Sequence, residues 1–537
     1  MSASVITAGE CDYAVIGAGS AGCVVAARLS ETAGVRVTLL DAGSEGPGFV
    51  REIPAMTMQL IGNPGRDWSF EAEPDPSAGG RRSIWHAGKM LGGGSAINGM
   101  VYIRGLKSDF DEWAAAGCNG WSWRDVEPMF RRAEGYAEPG ASSLGRDGPY
   151  ALSRMRSPHA FAHRFVTACG EVGLPYVEDY NAGAGEGAYL TIASQRTGRR
   201  SSTAKTYLLP ASKRSNLRVI PEAMVDRIEF EDRRASGVRF RRDGRDEVLA
   251  VRRGVILSAG TLQSPLILMR SGIGPAADLS EMGRAPVAPA EAVGRNLQDH
   301  VGFVIQKFVD EATYNSEMTP IAGVRHALNY LVRRRGPLSS PVVQAMGWAR
   351  SDQALTEPDL QLAFLPYGID FNASPPAMHR SPCISVGANL GRPNTRGRIS
   401  LKGLDPASGP RIEFAMLGDE ADVAALVSAF RLIERIWNAP ALARHVTGGC
   451  PPFRPGMTDE EVTQTLRLFS GLGMHGVGTC RMGSDGGSVV DPELCVRGVE
   501  GLRVVDASIM PRLVRANTNA AAIMIGERGA DLIRRAG

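Results

Sequence analysis

Short apolar runs that end in glycine or aspartate are the clearest pattern near the start of the chain. The segment 12–31, DYAVIGAGSAGCVVAARLSE, begins as an apolar strand, passes through a glycine turn and ends as a helix. A second apolar run, VRVTLLDAG, reaches Asp41 at its end. This order of strand, helix and strand predicts the first βαβ unit of a parallel sheet.

Two stretches far along the chain have the same pattern. Residues 253–274, RGVILSAGTLQSPLILMRSGIG, run from an apolar strand into Gly260, and a helix is predicted to begin near Ser264-Pro265. Residues 501–511, GLRVVDASIMP, run into Asp506. Small and acidic residues at strand ends are typical of a sheet edge that binds a dinucleotide. We therefore predict an α/β fold whose Rossmann-like domain is assembled from discontinuous segments.

The middle of the chain has a different pattern. QLAFLPYGID and SPCISVGANL alternate like antiparallel strands, whereas VAALVSAFRLIERIWN has helical periodicity. These patterns predict an inserted α+β substrate domain with an antiparallel sheet. The predicted nucleotide-binding domain has three parts, at 1–160, 216–308 and 463–537. A mixed segment is predicted at 161–215 and a substrate domain at 309–462.

The first glycine turn has the spacing of a dinucleotide-binding fingerprint. Gly17, Gly19 and Gly22 form G-x-G-x-x-G between the strand and the helix. In that context the first glycine makes the turn, the second admits a pyrophosphate and the third lets helix and strand pack closely. Asp41, nineteen residues after Gly22, can accept hydrogen bonds from both ribose hydroxyls of an adenosine.

A second glycine-rich segment favours FAD over NAD as the dinucleotide. GKMLGGGSAINGMVYIRG, 88–105, has three consecutive glycines followed by Ser95 and Asn98. Such a loop offers backbone N–H groups and little bulk, which suits a large planar ligand close to the main chain. A flexible linker is the alternative, but the flanking apolar residues are not typical of linkers.

Composition excludes several classes of protein. The 537 residues are 43% hydrophobic and 22% charged, with a net charge of +3, which gives no reason to expect nucleic acid or an anionic membrane as partner. The eight cysteines form no C-x-x-C pair, which argues against a disulfide scaffold or a zinc site. No signal peptide and no run of about 18 apolar residues is found, so we predict a cytoplasmic enzyme without a membrane span.

The segment MHGVGTCRMG, 474–483, contains a histidine with three candidate roles. His475 could be a metal ligand, the partner of a nucleophilic Cys480, or a base for another reactant. The other histidines show no ligand spacing, and a Cys–His hydrolase would require an activated thiolate. The role of a metal ligand is therefore weak. The roles of a base and of a partner to Cys480 stay open here, and the motifs described next imply a base and leave Cys480 as a packing residue.

Several motifs in a fixed order resemble the glucose–methanol–choline (GMC) flavoprotein oxidoreductases over nearly the whole chain. They are GAGSAG (17–22), GKMLGGGSAIN (88–98), GTLQSPLILMRSGIG (260–274), VGRNLQDH (293–300), HGVGTCRMG (475–483), VVDASIMP (504–511) and NTNAAAIMIGE (517–527). The pattern is most similar to that of bacterial choline and alkanol dehydrogenases. The resemblance implies the GMC fold and FAD that is bound without a covalent link.

The resemblance also assigns residues to the cofactor. The pyrophosphate and adenosine would lie against Gly17, Gly19, Ser20, Ala21, Gly22, Asp41, Ala42 and Val225. The isoalloxazine and ribityl chain would lie against Gly92, Gly93, Ser95, Asn98, Gly99, Met100, Val101, Ala259, Gly260, Asp506, Ala507, Thr518 and Asn519. His475 and Asn517 would form the catalytic pair, and no metal is expected.

The chemistry that suits this pair is oxidation of an alcohol to the aldehyde. A hydride leaves more readily from an alkoxide than from an alcohol, and an imidazole is suited to removing the hydroxyl proton near neutral pH. Asn517 could donate a hydrogen bond to the same oxygen. An oxidase that releases hydrogen peroxide and a non-redox hydroxynitrile lyase that keeps FAD are the alternatives.

We predict a primary alcohol of apolar or aromatic character as the substrate. Phe364, Tyr367 and Phe371 are the candidate lining residues, and no cluster of acidic and aromatic residues marks a site for choline. The electron acceptor, a quinone-like molecule, a dye or oxygen, is left open, as is a homodimer.

Overall fold

The computed structural model describes residues 6–46, 48–183, 185–317, 319–370 and 377–537. Two seven-stranded sheets organise this part of the chain. In chain order their strands are β1 (Ile6–Ile16), β2 (Val37–Leu40), β3 (Gly187–Leu190), β4 (Leu217–Ile220), β5 (Met224–Glu231), β6 (Arg234–Arg242), β7 (Arg245–Leu257), β8 (Val301–Val309), β9 (Ala345–Ala349), β10 (Leu360–Leu365), β11 (Cys383–Leu390), β12 (Val446–Gly449), β13 (Gly471–Leu472) and β14 (Leu502–Val504).

The principal helices cover these sheets or connect their strands. They are α1 (Ser20–Leu29), α2 (Lys107–Ala115), α3 (Trp123–Ala133), α4 (Ala160–Glu171), α5 (Gly260–Arg270), α6 (Pro320–Arg333), α7 (Glu420–Asn438), α8 (Asp459–Phe469) and α9 (Asn519–Arg535). Within the described ranges, no helix combines the length and the apolar character that crossing a bilayer requires.

The first sheet confirms a nucleotide-binding domain built from distant segments. Its strand order is β4-β2-β1-β7-β6-β5, and β14 pairs with β7. The pairs β1–β2, β2–β4, β1–β7 and β7–β14 are parallel, whereas β5, β6 and β7 form an antiparallel extension. The carboxyl ends of β1, β2, β7 and β14 therefore meet at one edge, where a ligand is expected in such a sheet.

The second sheet is antiparallel, as the alternating patterns in the middle of the chain predict. Its strand order is β12-β8-β11-β10-β9-β3, and β13 pairs with β8. The stretches QLAFLPYGID and SPCISVGANL supply the neighbouring strands β10 and β11, and α7 is the helix predicted from its periodicity.

The strands of this sheet extend beyond the predicted substrate domain of 309–462. β8 begins at Val301 and β13 lies at 471–472, so both fall in segments that the sequence assigns to nucleotide binding. β3 lies in the mixed segment 161–215. The sequence could not show these exchanges because the pairing partners are far apart along the chain.

Helix α5 begins four residues earlier than its proline suggests. The predicted start near Ser264-Pro265 is wrong because the carboxylate of Asp506 accepts hydrogen bonds from the Gly260 N–H and the Ser264 hydroxyl, at 2.9 and 2.6 Å. A proline inside a helix leaves the carbonyl four residues earlier without its usual partner. Here the Thr479 hydroxyl donates to that carbonyl, at Thr261, over 2.7 Å.

Candidate active site

A cavity of about 380 Å³ lies at the carboxyl edge of the first sheet and brings the distant motifs together. Most of the residues that the sequence assigns to the site line this cavity. They are Gly17, Gly19, Ser20, Ala21, Asp41, Ala42, Gly93, Asn98, Gly99, Met100, Val101, Val225, Ala259, Gly260, His475, Asp506, Ala507, Asn517, Thr518 and Asn519.

Three of the assigned residues, Gly22, Gly92 and Ser95, support the wall of the cavity instead of lining it. A Cβ atom at Gly22 would lie 1.9 Å from the Gly17 carbonyl oxygen, so this glycine serves the close packing of helix and strand. The Ser95 hydroxyl donates to the Gly92 carbonyl over 2.6 Å and accepts from the Thr203 N–H over 3.0 Å. These bonds fix the shape of the glycine-rich loop.

The glycine turn fits a pyrophosphate. Gly17 has a φ of +98°, and a Cβ atom at Gly93 would lie 2.8 Å from the Cα atom of Gly19, so the two glycine segments approach as closely as backbones can. Helix α1 starts directly after Gly19 without a side-chain cap. The N–H groups of its first turn have no partner within the helix, and together with the helix dipole they favour an anion.

Asp41 at the end of β2 fits the ribose of an adenosine. Its two carboxylate oxygens accept hydrogen bonds from the backbone N–H groups of Ala18 and Gly43, at 2.6 and 2.7 Å. Burial raises the pKa of this carboxyl group. Each oxygen keeps a further lone pair that can accept from a ribose hydroxyl.

Asp506 has a different role from Asp41, although it also lines the cavity. In addition to its two bonds to α5, its carboxylate accepts from the Ser508 N–H over 2.8 Å. The side chain therefore ties α5 to the segment after β14.

His475 is held on both sides of its ring. Its Nδ1 atom lies 2.9 Å from Nδ1 of His300, and its Nε2 atom lies 2.9 Å from the amide nitrogen of Asn517. The His475 backbone N–H donates to the carboxylate of Asp299 over 2.7 Å. Burial raises the pKa of Asp299 to about 8.

Hydrogen bonding determines which ring nitrogen of His475 carries the proton and which carries the lone pair. Nε2 of His300 lies 3.1 Å from the Gly391 carbonyl oxygen and 3.2 Å from that of Val514. Carbonyl oxygens only accept, so Nε2 of His300 carries a proton and its Nδ1 accepts one from His475. Burial lowers the pKa of His300 to about 4, which keeps this ring neutral. The lone pair of His475 is therefore on Nε2, towards Asn517.

The electrostatic setting of His475 favours a neutral base. Burial lowers its pKa well below the ordinary value, and the neighbouring His300 lowers it further. Asn517 is oriented by Gln361, whose amide donates to the Asn517 carbonyl oxygen over 3.3 Å. This leaves the Asn517 NH₂ group directed at Nε2 of His475, so a proton acceptor and a hydrogen-bond donor meet at one point.

The interpretation of Cys480 as a packing residue agrees with its environment. Its side chain is fully buried and does not line the cavity. Burial raises the pKa of its thiol, which opposes formation of the thiolate that a Cys–His hydrolase needs. Among the described residues, the groups that could hold a metal ion do not include His475.

Elsewhere in the described part of the chain, side chains form two potential metal-ligand groups. They are His379 with Cys383 and Cys450, and Asp310 with Glu311 and His445. Sequence spacing could not reveal either group, and neither lies on the cavity.

Two of the aromatic residues that the sequence proposes for the substrate pocket, Phe364 and Tyr367, are not on the cavity. Phe364 is fully buried and stacks on Phe165 at a ring distance of 5.4 Å, and Tyr367 is also a core residue. Phe371 lies outside the described residues. The aromatic lining instead comes from Trp68 and Trp85, and no periodic pattern marks either tryptophan.

Arg200 is another residue near the cavity whose role the sequence does not reveal. Its guanidinium is buried behind the glycine-rich loop and donates to the Asn98 side-chain carbonyl over 2.8 Å and to the Ser95 carbonyl over 3.3 Å. Burial lowers the pKa of Arg200 to about 10. This bond turns the Asn98 amide carbonyl away from the cavity and towards the loop.

Comparison with known proteins places the chain in a family. The N-terminal and C-terminal models of the GMC oxidoreductases match residues 11–302 and 393–526. An alcohol dehydrogenase [acceptor] of Pseudomonas putida is 36% identical over 98% of this chain and 96% of its own. An oxygen-dependent choline dehydrogenase of Brucella suis is 35% identical over 98% of this chain and 95% of its own.

Solved structures agree with this assignment. Pyridoxine 4-oxidase from "Mesorbium loti" superposes with a TM-score of 0.88 at 28% identity, over 97% of this chain and 98% of its own. The chain therefore belongs to the GMC oxidoreductase family of FAD-dependent enzymes.

Proposed function

We propose that the protein oxidises a primary, apolar or aromatic alcohol to the aldehyde, with His475 as the base. The observation that carries the proposal is the hydrogen-bond chain from the carbonyls of Gly391 and Val514 through His300, because it leaves the lone pair of His475 on Nε2. The Pseudomonas putida and Brucella suis relatives are named as an alcohol dehydrogenase and a choline dehydrogenase, which supports this reaction class.

The side chains divide the work at the alcohol oxygen. His475 Nε2 takes the hydroxyl proton, and the imidazolium that forms keeps its Nδ1–H bond to His300. Asn517 donates an amide hydrogen to the same oxygen, which fixes the alcohol and stabilises its developing negative charge. FAD supplies the acceptor for the hydride that leaves the carbon. Both side chains are half-buried at the cavity, where they can compensate the charge that develops on the oxygen.

The wall of the cavity supports an uncharged, apolar substrate. Trp68, Trp85, Val343 and Met474 contribute apolar surface. Among the described residues that line the cavity, the acidic ones are Asp41 and Asp506, and backbone N–H groups already bind both. A quaternary ammonium would therefore find no free carboxylate, and choline is not favoured.

We further propose a dehydrogenase that passes its electrons to a quinone-like or dye-like acceptor. The motifs GMVYIRG and NTNAAAIMIGE resemble the dehydrogenase branch, and the Pseudomonas putida relative is named for an unspecified acceptor. An oxidase that reduces oxygen is the alternative.

An alcohol panel tests the reaction class. The purified protein is mixed anaerobically with primary alkanols, benzyl alcohol and choline, and bleaching of its yellow flavin is followed. Apolar or aromatic alcohols should bleach the flavin and choline should not. A flavin that no alcohol reduces, with cleavage of a cyanohydrin by the same sample, would assign a hydroxynitrile lyase instead. Stoichiometric hydrogen peroxide in air, at a rate that dyes do not change, would assign an oxidase.

A further inference from the structure

Helix α6 is exposed over almost its whole length. Of its residues from Pro320 to Arg333, only Tyr330 is buried. Its five large aliphatic side chains are each between 57% and 86% exposed, and they are Ile321, Val324, Leu328, Leu331 and Val332. A helix in a folded protein normally buries such residues, but no described part of the chain covers this face.

The exposed aliphatic residues form one continuous stripe. At about 100° per residue, their positions fall within an arc of roughly 100° on the helix surface. Tyr330 lies on the opposite side and anchors the helix, since its hydroxyl donates to the Gly198 carbonyl over 3.0 Å. The stripe therefore points away from the body of the protein.

Positive charge surrounds the stripe. Residues 320–335 contain four arginines and no acidic residue. Arg325 pairs with Glu317 over 3.2 Å, whereas Arg333, Arg334 and Arg335 follow one another at the end of the helix. Phe49, which is 46% exposed, extends the apolar surface, with its ring 6.5 Å from that of Tyr330. The guanidinium of Arg334 lies 5.7 Å from the Phe49 ring.

Size and charge oppose a second copy of the chain as the cover. A helix of 14 residues is about 21 Å long, so one face offers a few hundred Å² at most. A stable dimer buries roughly 800 Å² on each partner. Pairing two such faces would also bring arginines of both copies together without acidic partners from the same segment.

We propose that α6 is an interfacial helix that docks the protein onto an anionic lipid surface. Apolar side chains on one face, arginines beside them and no acidic residue are the features of a helix that lies in the plane of a bilayer. The net charge of +3 for the whole chain conceals this local cluster, which is why composition predicts no membrane partner.

Docking through α6 would place the cavity close to the lipid. Val343, ten residues after the end of α6, lines the cavity, and a Cβ atom at Gly99 of the glycine-rich loop would lie 3.5 Å from Val342. Binding to lipid itself does not depend on the alcohol chemistry proposed above.

Vesicle flotation of the FAD-loaded protein tests the proposal. Vesicles of phosphatidylcholine alone are compared with vesicles that also contain phosphatidylglycerol. The variant Ile321→Ser/Val324→Ser/Leu328→Ser removes exposed side chains from the stripe. The variant Leu355→Ser/Leu404→Ser/Leu468→Ser removes exposed leucines from other surfaces and is the matched control. Light scattering and dye-linked turnover are measured on each protein in solution.

Wild type and the control should float with the anionic vesicles, and high salt should weaken this binding. The stripe variant should bind about tenfold more weakly or not at all, with unchanged turnover in solution. Wild type that does not float with anionic vesicles, or a stripe variant that floats like wild type, would overturn the proposal. A wild-type dimer that the stripe variant converts to a monomer would also overturn it, because the cover would then be a second copy.

Discussion

The proposed role of His475 depends on His300, which ends the motif VGRNLQDH but has no role assigned to it from the sequence. The motif identifies His475 and Asn517, but the position of the lone pair is set by His300 and by two carbonyls that are distant along the chain. Ordinary spacing rules cannot predict such a chain of bonds because its members come from four separate segments. The tautomer of His475 is therefore a result of the fold.

Removal of the acceptor at position 300 should disable the base. In His300→Leu the Nδ1–H group of His475 loses its acceptor, so the tautomer that keeps the lone pair on Nε2 is no longer stabilised by position 300. Anaerobic flavin reduction should slow by about 100-fold or more. His300→Asn is the matched control, because its side-chain oxygen can replace the Nδ1 acceptor, and it should keep most of the rate. Equal rates in the two variants would contradict a tautomer role.

Loss of the Asn517 amide should raise the barrier without loss of the cofactor. Asn517→Ala removes the donor that faces Nε2 of His475. The expected cost is about 2–4 kcal/mol in the reduction step, the usual effect of removing one donor to a developing oxyanion. Rapid-mixing reduction by the best alcohol measures this cost, and the flavin absorbance confirms loading. An unchanged rate would remove Asn517 from the active site.

Among the helices, α1 and α9 hold the two sides of the cofactor cavity together. Gly526 of α9 faces α1 so closely that a Cβ atom would lie 2.9 Å from the Ala21 carbonyl oxygen and from the Val24 Cβ. Glu527 is fully buried, and it accepts from Arg28 of α1 and Arg132 of α3. The packing of these helices therefore fixes the distance between the glycine turn and Asn517.

Two glycine substitutions separate packing from helix propensity. Gly526→Ala should push α1 and α9 apart and destabilise the protein by about 1–3 kcal/mol. Gly170→Ala, in helix α4 where a Cβ atom meets nothing within 4 Å, should instead stabilise it by about 0.5–1 kcal/mol. Thermal melting of the FAD-loaded proteins compares them. A melting temperature for Gly526→Ala at or above that of wild type would refute the close contact.

Local patterns predicted the elements more accurately than their boundaries. The strands that precede Gly17, Asp41, Gly260 and Asp506 are present because apolar runs that end in small or acidic residues have few alternatives in an α/β fold. The start of α5 was missed because its cap is the carboxylate of Asp506, a long-range partner. β8 and β13 belong to the second sheet although the sequence assigns their segments to nucleotide binding. Their pairing is long-range, so no local pattern predicts it.

At the scale of the whole molecule, the cavity lining favours a cofactor without a covalent link. The histidines that line it are His86 and His475, and the lining drawn from the described residues contains no cysteine or tyrosine. The sequence placed His86 outside the glycine-rich motif, but the structure places it on the cavity, with Nδ1 2.5 Å from the Asp67 carboxylate. Both histidines therefore form hydrogen bonds with other side chains, His86 with Asp67 and His475 with His300 and Asn517.

Acid precipitation tests this prediction. The flavin should remain in the supernatant as FAD, and the pellet should be colourless. Yellow colour that stays with the pellet would contradict it, and its loss in His86→Ala would identify the attached residue.

The identity of His475 as the base is the central claim, and one measurement tests it most directly. Anaerobic stopped-flow reduction of the flavin by the best alcohol is followed for wild type and His475→Ala between about pH 5 and pH 10. Burial lowers the pKa of His475 well below its ordinary value, so the base stays unprotonated as the pH falls through neutrality. The wild-type rate should therefore be level across neutral pH and decline only in acid, unlike the near-neutral titration of an exposed imidazole. His475→Ala should bind FAD but reduce it about 10²–10⁴-fold more slowly. A variant that reduces its flavin at close to the wild-type rate, with the same pH profile, would show that His475 is not the base.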